Sequence, residues 1–320
     1  MIPVGKQLSA GPAIVVMGGG TGLAVLLRGL KHHTGDLTAV VTMADDGGSS
    51  GRLRRELGIL PPGDIRNCLV ALAEDESLMG DLFQYRFDEG TLSGHSFGNL
   101  FLAALSKVTD DFEEAVRLSG RILAARGKVL PASLDLVTLR AELDDGCTVE
   151  GQSAIADSNR ACRNIFLEPD DVCPTDDVLE AINKAQMIVM GPGSLFTSII
   201  PNLLITKIAD AVEAAPCPRV FVCNVMTQPG ETLGFSVVEH LDAMIAHTRP
   251  GMIDTMIVNT FEPPAPIVEF YSAKGASPVL IDRARLEAFD VNIVFADVAS
   301  GGNYFRHDSV KLADAIMSLL

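Results

Sequence analysis

The sequence predicts an α/β fold: a doubly wound, mostly parallel, Rossmann-like sheet, with a small β-rich excursion midway. Three observations predict it. Apolar runs of strand length recur at 13–17, 187–190, 219–223 and 255–259, and continuous rather than alternating apolarity marks strands covered on both faces. Several of these runs lead into a turn rich in glycine or hydroxyls and then a helical stretch, the rhythm of βα units. A hydrophobic content of 48% over 320 residues, with a mean hydropathy of +0.28, supports a large buried core.

Residues 1–11 read as a flexible lead-in and residues 12–320 as one domain, with the β-rich excursion at 131–168. The first strand, 13–17, runs into Gly18-Gly19-Gly20-Thr21-Gly22 and a helix over 23–30. Glycine lets backbone approach a ligand, and a helix N-terminus presents unpaired N–H groups to phosphate. Leu23 stands where the dinucleotide fingerprint needs its last glycine, and no Gly-Lys-Ser/Thr follows. The loop is therefore neither of those standard motifs, and a tight structural turn would read the same way. Residues 36–43 form a second strand, which ends at the adjacent carboxylates Asp45 and Asp46. Gly47-Gly48-Ser49-Ser50-Gly51 follows, with Arg52, Arg54 and Arg55 beside it. Successive free amides in such a turn make an anion nest, and the carboxyl end of a strand places it in a ligand crevice. A solvated turn with capping aspartates is the plainer alternative.

The turn at 60–63 leads to Asp64, either the cap of a helix over 65–72 or, with Arg66 and Asn67 in its first turn, part of a ligand-binding trio. Helices follow at 78–87, 96–105 and 112–125. His95 and Asn99 lie about one helical turn apart and are candidates to line a pocket. From 134 the apolar period shortens towards two, and Asp144-Asp145-Gly146 is a hairpin turn ahead of Gly151-Gln152-Ser153. A helix at 176–184 and a strand at 187–190 lead into Gly191-Pro192-Gly193-Ser194. The strand at 219–223 ends in a polar loop whose Asn224, Thr227 and Gln228 can read a base or sugar edge. The remaining elements are a helix at 236–246, a strand at 255–259, a short helix at 267–271, and strands at 278–281 and 291–295. A closing helix at 308–320 turns Val310, Leu312, Ala313, Ile316 and Leu319 inward.

A formal charge of −16 argues against a nucleic-acid partner, because phosphate backbones need clustered Lys and Arg. Apolar runs are too short to cross a bilayer and no export signal opens the chain, so neither a membrane partner nor secretion is expected. The six cysteines contain no C-x-x-C pair and read as reduced structural thiols, consistent with a cytoplasmic location. A homodimer is compatible with all of this.

Together the motifs at 18–22, 44–54, 62–67, 94–99, 191–194 and 224–232 resemble the YvcK family of bacterial gluconeogenesis factors, from about Pro12 to the C-terminus. These proteins are similar in fold to the CofD transferases, which move a phospholactyl group from a nucleotide carrier onto a deazaflavin precursor. The resemblance implies binding of uridine-diphosphate sugars such as UDP-N-acetylglucosamine (UDP-GlcNAc) and UDP-glucose, and a role in cell shape and in growth on gluconeogenic carbon sources. No turnover is established for that family, and for this chain an unidentified regulatory protein partner and no required cofactor are expected. It places Tyr271 and Arg306 at the nucleotide-sugar site: a tyrosine ring can pack on uracil or ribose, and the guanidinium fork suits a diphosphate. Gln152 stands where that family usually has glutamate, and Phe196 where it has tyrosine.

Two function classes follow. In the first, the chain is a nucleotide-sugar-binding regulator. In the second it is a CofD-type transferase in which Asp45 and Asp46, the catalytic candidates, hold a divalent metal. The Asp-x-Asp element of those transferases does not appear in residues 62–67. NAD is an adventitious ligand of the fold class, since Asp45 and Asp46 lie about twenty residues beyond the first glycine loop.

Overall fold

The computed structural model describes residues 11–74, 78–158, 160–302 and 304–320, so the expected lead-in lies almost wholly outside the described residues. Among them the chain forms twelve strands. These are β1 (Ile14–Gly18), β2 (Leu37–Val41), β3 (Lys128–Pro131), β4 (Thr138–Leu143), β5 (Thr148–Glu150), β6 (Cys162–Glu168), β7 (Met187–Met190), β8 (Arg219–Val222), β9 (Thr255–Asn259), β10 (Asn292–Ala296), β11 (Ala299–Gly301) and β12 (Phe305–His307). The helices begin with α1 (Gly20–Leu30), α2 (Gly48–Leu57), α3 (Gly63–Leu72), α4 (Leu78–Gln84), α5 (Phe97–Thr109), α6 (Phe112–Ile122) and α7 (Gln152–Asp157). They continue with α8 (Asp176–Lys184), α9 (Ile200–Leu203), α10 (Thr206–Ala214), α11 (Val237–His247), α12 (Ala265–Ser272), α13 (Arg283–Leu286) and α14 (Ser309–Met317), and a π-turn at Leu195–Ile199 precedes α9.

Seven strands make one parallel sheet in the order β10-β9-β8-β7-β1-β2-β3. Every residue of β1, β2 and β7 is buried, as continuous apolar runs require when helices cover both faces. The middle excursion is a separate antiparallel sheet, β5-β4-β6. Alternate burial along β4 puts Leu139, Ala141 and Leu143 inward, where they join the same apolar cluster as the main sheet. Helix α1 packs on α3 and α14. Among the described residues, no single helix is long and apolar enough to cross a membrane, and the six cysteines form no disulfide.

Several expectations need correction. The segment 278–281 is no sheet strand; it makes only isolated bridges, to Met226 and Ser236 of the stretch that follows β8. Strand β3 and the β11–β12 hairpin were unexpected, being short and only partly apolar. Val310 points outward and is exposed, whereas Leu312, Ala313 and Ile316 are buried. Residues 48–51 are the opening of helix α2 rather than an open nest.

Candidate functional site

In the main sheet the chain moves outward from β1 through β2 to β3, then returns to β7 on the other side of β1 and continues through β8 and β9 to β10. The strand order therefore reverses between β1 and β7, and in open α/β sheets ligands bind outside the carboxyl ends of the strands at such a reversal. The two glycine loops meet there. Gly22 lies so close to the β7 loop that a Cβ on it would stand 2.6 Å from the Pro192 carbonyl oxygen. Gly20, the first residue of α1, has φ of +65°, a conformation glycine takes without a Cβ penalty.

Between these loops and the β12 strand is a cavity of about 280 Å³. Of the predicted residues, Gly19, Gly20, Thr21, Gly22, Gly193, Ser194, Asn224, Gln228 and Arg306 line it. Its wall is tied together by side-chain amides: Gln228 Nε2 donates to Ser194 Oγ at 2.8 Å and Asn224 Nδ2 to Gln228 Oε1 at 3.3 Å. The N-cap of α1, Gly19, supplies no side chain to its first-turn N–H groups. Arg306 is exposed and its guanidinium lies 4.8 Å from the centre of the Tyr304 ring. A larger hollow of about 500 Å³ beside α6 is lined by Leu69, Val116 and Leu130 with carboxylates at its rim. It lacks convergent loops at strand ends, so the smaller cavity is the stronger ligand site.

A second group of predicted residues forms a largely buried polar cluster behind Gly19, where a Cβ would stand 2.7 Å from Asp64 Oδ2. Asp64 is not the cap of its own helix, whose N-cap is Pro62; its carboxylate accepts instead from the Gly20 amide of α1. Burial, then the nearby Asp45 charge, pushes its pKa up to about 7. Asp45 is raised as well, first by burial. Its Oδ1 accepts from Gly47 N at 2.9 Å, while Ser50 Oγ accepts from Gly63 N at 3.1 Å. Arg66 is buried, donates to Asn67 Oδ1 at 2.6 Å, and leaves Nε without a partner. Ser49 Oγ and His95 Nδ1 are 2.9 Å apart, and burial lowers the His95 pKa. Asn99 Oδ1 is covered and unpartnered.

Other predicted residues serve neighbouring structure. Asp46 Oδ1 accepts from both the amide and the hydroxyl of Ser153, at 2.9 Å each, and so fixes the start of α7. Both of those bonds fall on Oδ1, and among the described residues no group of three or more His, Cys, Asp or Glu could hold a metal ion. Arg52 donates to the Ser93 carbonyl at 2.7 Å, Thr227 pairs with Ser277, and Gly48 is exposed at the start of α2. A Cβ on Gly191 would meet Ile199, so this glycine serves packing behind the cavity. Tyr271 does not line the cavity; its hydroxyl donates to the Phe305 carbonyl at 3.3 Å and props the strand that carries Arg306.

Two titratable residues escaped the sequence reading. Glu231, almost fully buried, accepts from Thr197 Oγ1 at 2.9 Å and Phe196 N at 3.2 Å. It thereby holds the π-turn behind Ser194, and burial raises its pKa to about 6. His307 lines the cavity beside Arg306. A carboxylate directly after Pro-Gly gave a signal for Glu231; nothing local marked His307.

Residues 14–299 match the family described as 2-phospho-L-lactate transferase CofD. The gluconeogenesis factor of Bacillus subtilis strain 168 is 48% identical over 311 residues, covering 97% of this chain and 98% of that protein. The gluconeogenesis factor of Listeria monocytogenes is 42% identical over 311 residues, covering 97% of this chain and 96% of that protein. A crystal structure of a UPF0052 family member from Bacillus halodurans superposes with a TM-score of 0.93 at 44% identity, covering 97% of this chain and 100% of that one.

Proposed function

This chain belongs to the CofD family and, within it, to the gluconeogenesis factors of the YvcK type, and we propose that it is a cytoplasmic regulator that binds a uridine-diphosphate sugar at the switch-point cavity. The observation that carries the reading is the meeting of two glycine loops and Arg306 around one cavity at the reversal of strand order. First-turn amides of α1 and the Arg306 guanidinium suit a diphosphate. The amides of Asn224 and Gln228 suit the nucleoside or sugar. Against a chain charge of −16, such a ligand is held by local donors rather than by the overall field. Occupancy shifts the conformation of the exposed Arg306 strand, a surface a protein partner can read. Cell shape and growth on gluconeogenic carbon are the processes this reading attaches to it.

Calorimetric titration with UDP-GlcNAc tests it: saturable binding, recovery of the ligand unchanged, and weakening by at least about tenfold in Arg306→Ala are expected. Unchanged affinity in Arg306→Ala overturns the site. A second reading, phospholactyl transfer, draws on the Asp45–Asp64 cluster, where a carboxyl group with pKa about 7 is suited to proton transfer. Formation of a phospholactyl product from a nucleotide donor and a deazaflavin precursor, abolished by Asp64→Asn, favours it. Absence of product after prolonged incubation removes it.

A further inference from the structure

We propose that His307 reads the nucleoside: its Nε2 accepts a hydrogen bond from a neutral donor of the bound nucleotide, either a ribose hydroxyl or the imide N–H of the base. The inference rests on the nucleotide-sugar reading and deepens it.

His307 ends β12, in register with Ala299 of β11, and its neighbours Phe305 and Arg306 line the same cavity. The ring lies against the backbone carbonyl of Cys223, just past β8, which favours a ring N–H on that side. Nε2 is covered and has no partner. With a carbonyl beside the ring and nothing to receive a proton at Nε2, the neutral tautomer with the proton on Nδ1 is favoured and Nε2 keeps a lone pair. Burial holds the imidazole pKa down to about 4, so the ring stays neutral near physiological pH and Nε2 is an acceptor there. A phosphate oxygen cannot pair with it, since both are acceptors. A hydroxyl or an imide N–H can.

Eight side-chain nitrogen or oxygen atoms among the described residues are covered and unpartnered, and His307 Nε2 is the one carried by a residue lining this cavity. A dry acceptor is costly until a donor reaches it. Arg306 and the loop amides meet the diphosphate, while His307 on the same strand meets a group the diphosphate lacks. The strand thus divides recognition between charge at Arg306 and hydrogen-bond polarity at His307.

The test compares wild type, His307→Phe and His307→Gln by calorimetry with UDP, N3-methyl-UDP and 2′-deoxy-UDP, with thermal unfolding to check that each variant folds. His307→Phe is expected to weaken UDP binding by about 10- to 100-fold, and His307→Gln, which keeps an acceptor, by less than about fivefold. One of the two analogues loses affinity for wild type yet binds His307→Phe as well as UDP does, which identifies the donor. Equal UDP affinity in wild type and His307→Phe overturns the proposal. So does an equal loss of both analogues in wild type and variant, because His307 then touches neither donor. Wild type that binds neither UDP nor UDP-GlcNAc sinks the nucleotide-sugar reading itself, a failure distinct from the other two.

Discussion

Replacing Asp64 by asparagine should stabilise the protein at alkaline pH and leave it unchanged at acid pH. The Asp64 carboxyl is raised from 3.8 to about 7, first by burial and then by the Asp45 charge, with Arg66 offsetting part of the shift. A group whose folded pKa is raised holds its proton in the folded state over a range where the unfolded chain has released it. Its favourable contribution is complete below pH 3.8 and is lost as pH rises towards about 7. A shift of about three units corresponds to an upper bound of about 4 kcal/mol at 1.36 kcal/mol per unit, and relaxation around the charge brings the expected effect to about 2 kcal/mol. The substituted amide cannot ionise, yet its oxygen can still accept from the Gly20 N–H. Urea unfolding at a series of pH values from about 4 to about 8, with linear extrapolation, should show two curves that coincide near pH 4 and diverge by about 2 kcal/mol at about pH 8, with Asp64→Asn the more stable. Other titrating groups, including Glu231 and the histidines, cancel in the difference. Parallel curves across that range would refute the claim that this cluster retains an ionisable group at a cost to stability.

Gly22→Ala would set a Cβ 2.6 Å from the Pro192 carbonyl oxygen; forcing the two glycine loops apart should cost about 1–3 kcal/mol in urea unfolding and remove UDP-GlcNAc binding by calorimetry. Glu231→Ala strips the partners from the Thr197 hydroxyl and the Phe196 amide, each a buried donor worth about 1–3 kcal/mol when left unmet. A net loss of about 2–4 kcal/mol and weakened ligand binding are expected, with Glu231→Gln intermediate on both measurements. Gly29→Ala separates stability from function: a Cβ there would meet the Ser309 carbonyl oxygen at 1.9 Å where α1 packs on α14. Unfolding by urea should shift by about 2 kcal/mol or more while affinity at native conditions changes little.

The parallel sheet was legible because its strands carry the continuous apolar character that two-sided burial demands; residues 255–259 are both the predicted and the observed β9. The candidate cavity between the two glycine loops was legible for a related reason: loops whose backbones approach each other closely need glycine, and glycine is visible in sequence. What could not be read is where side chains of tertiary origin turn. Asp64 looked like a helix cap because an aspartate after Pro-Gly usually is one, and only the packing of α3 against α1 sends its carboxylate to Gly20 instead. The partner of Asp46 Oδ1, Ser153, lies 107 residues along the chain and could not be read from the local sequence. Tyr271 and Arg306 came from family resemblance, and the structure separates them: Arg306 faces the cavity, whereas Tyr271 supports its strand through Phe305. His307 had no sequence signal at all, since its position depends on a three-residue strand pairing with β11.

The most direct measurement is a crystal structure of the protein with UDP-GlcNAc. The diphosphate should lie between the backbone of Gly19–Gly22 and that of Gly193–Ser194, with the Arg306 guanidinium turned from the Tyr304 ring towards it. A nucleotide found elsewhere on the molecule, with those two loops and Arg306 as they are in the free protein, would contradict the account.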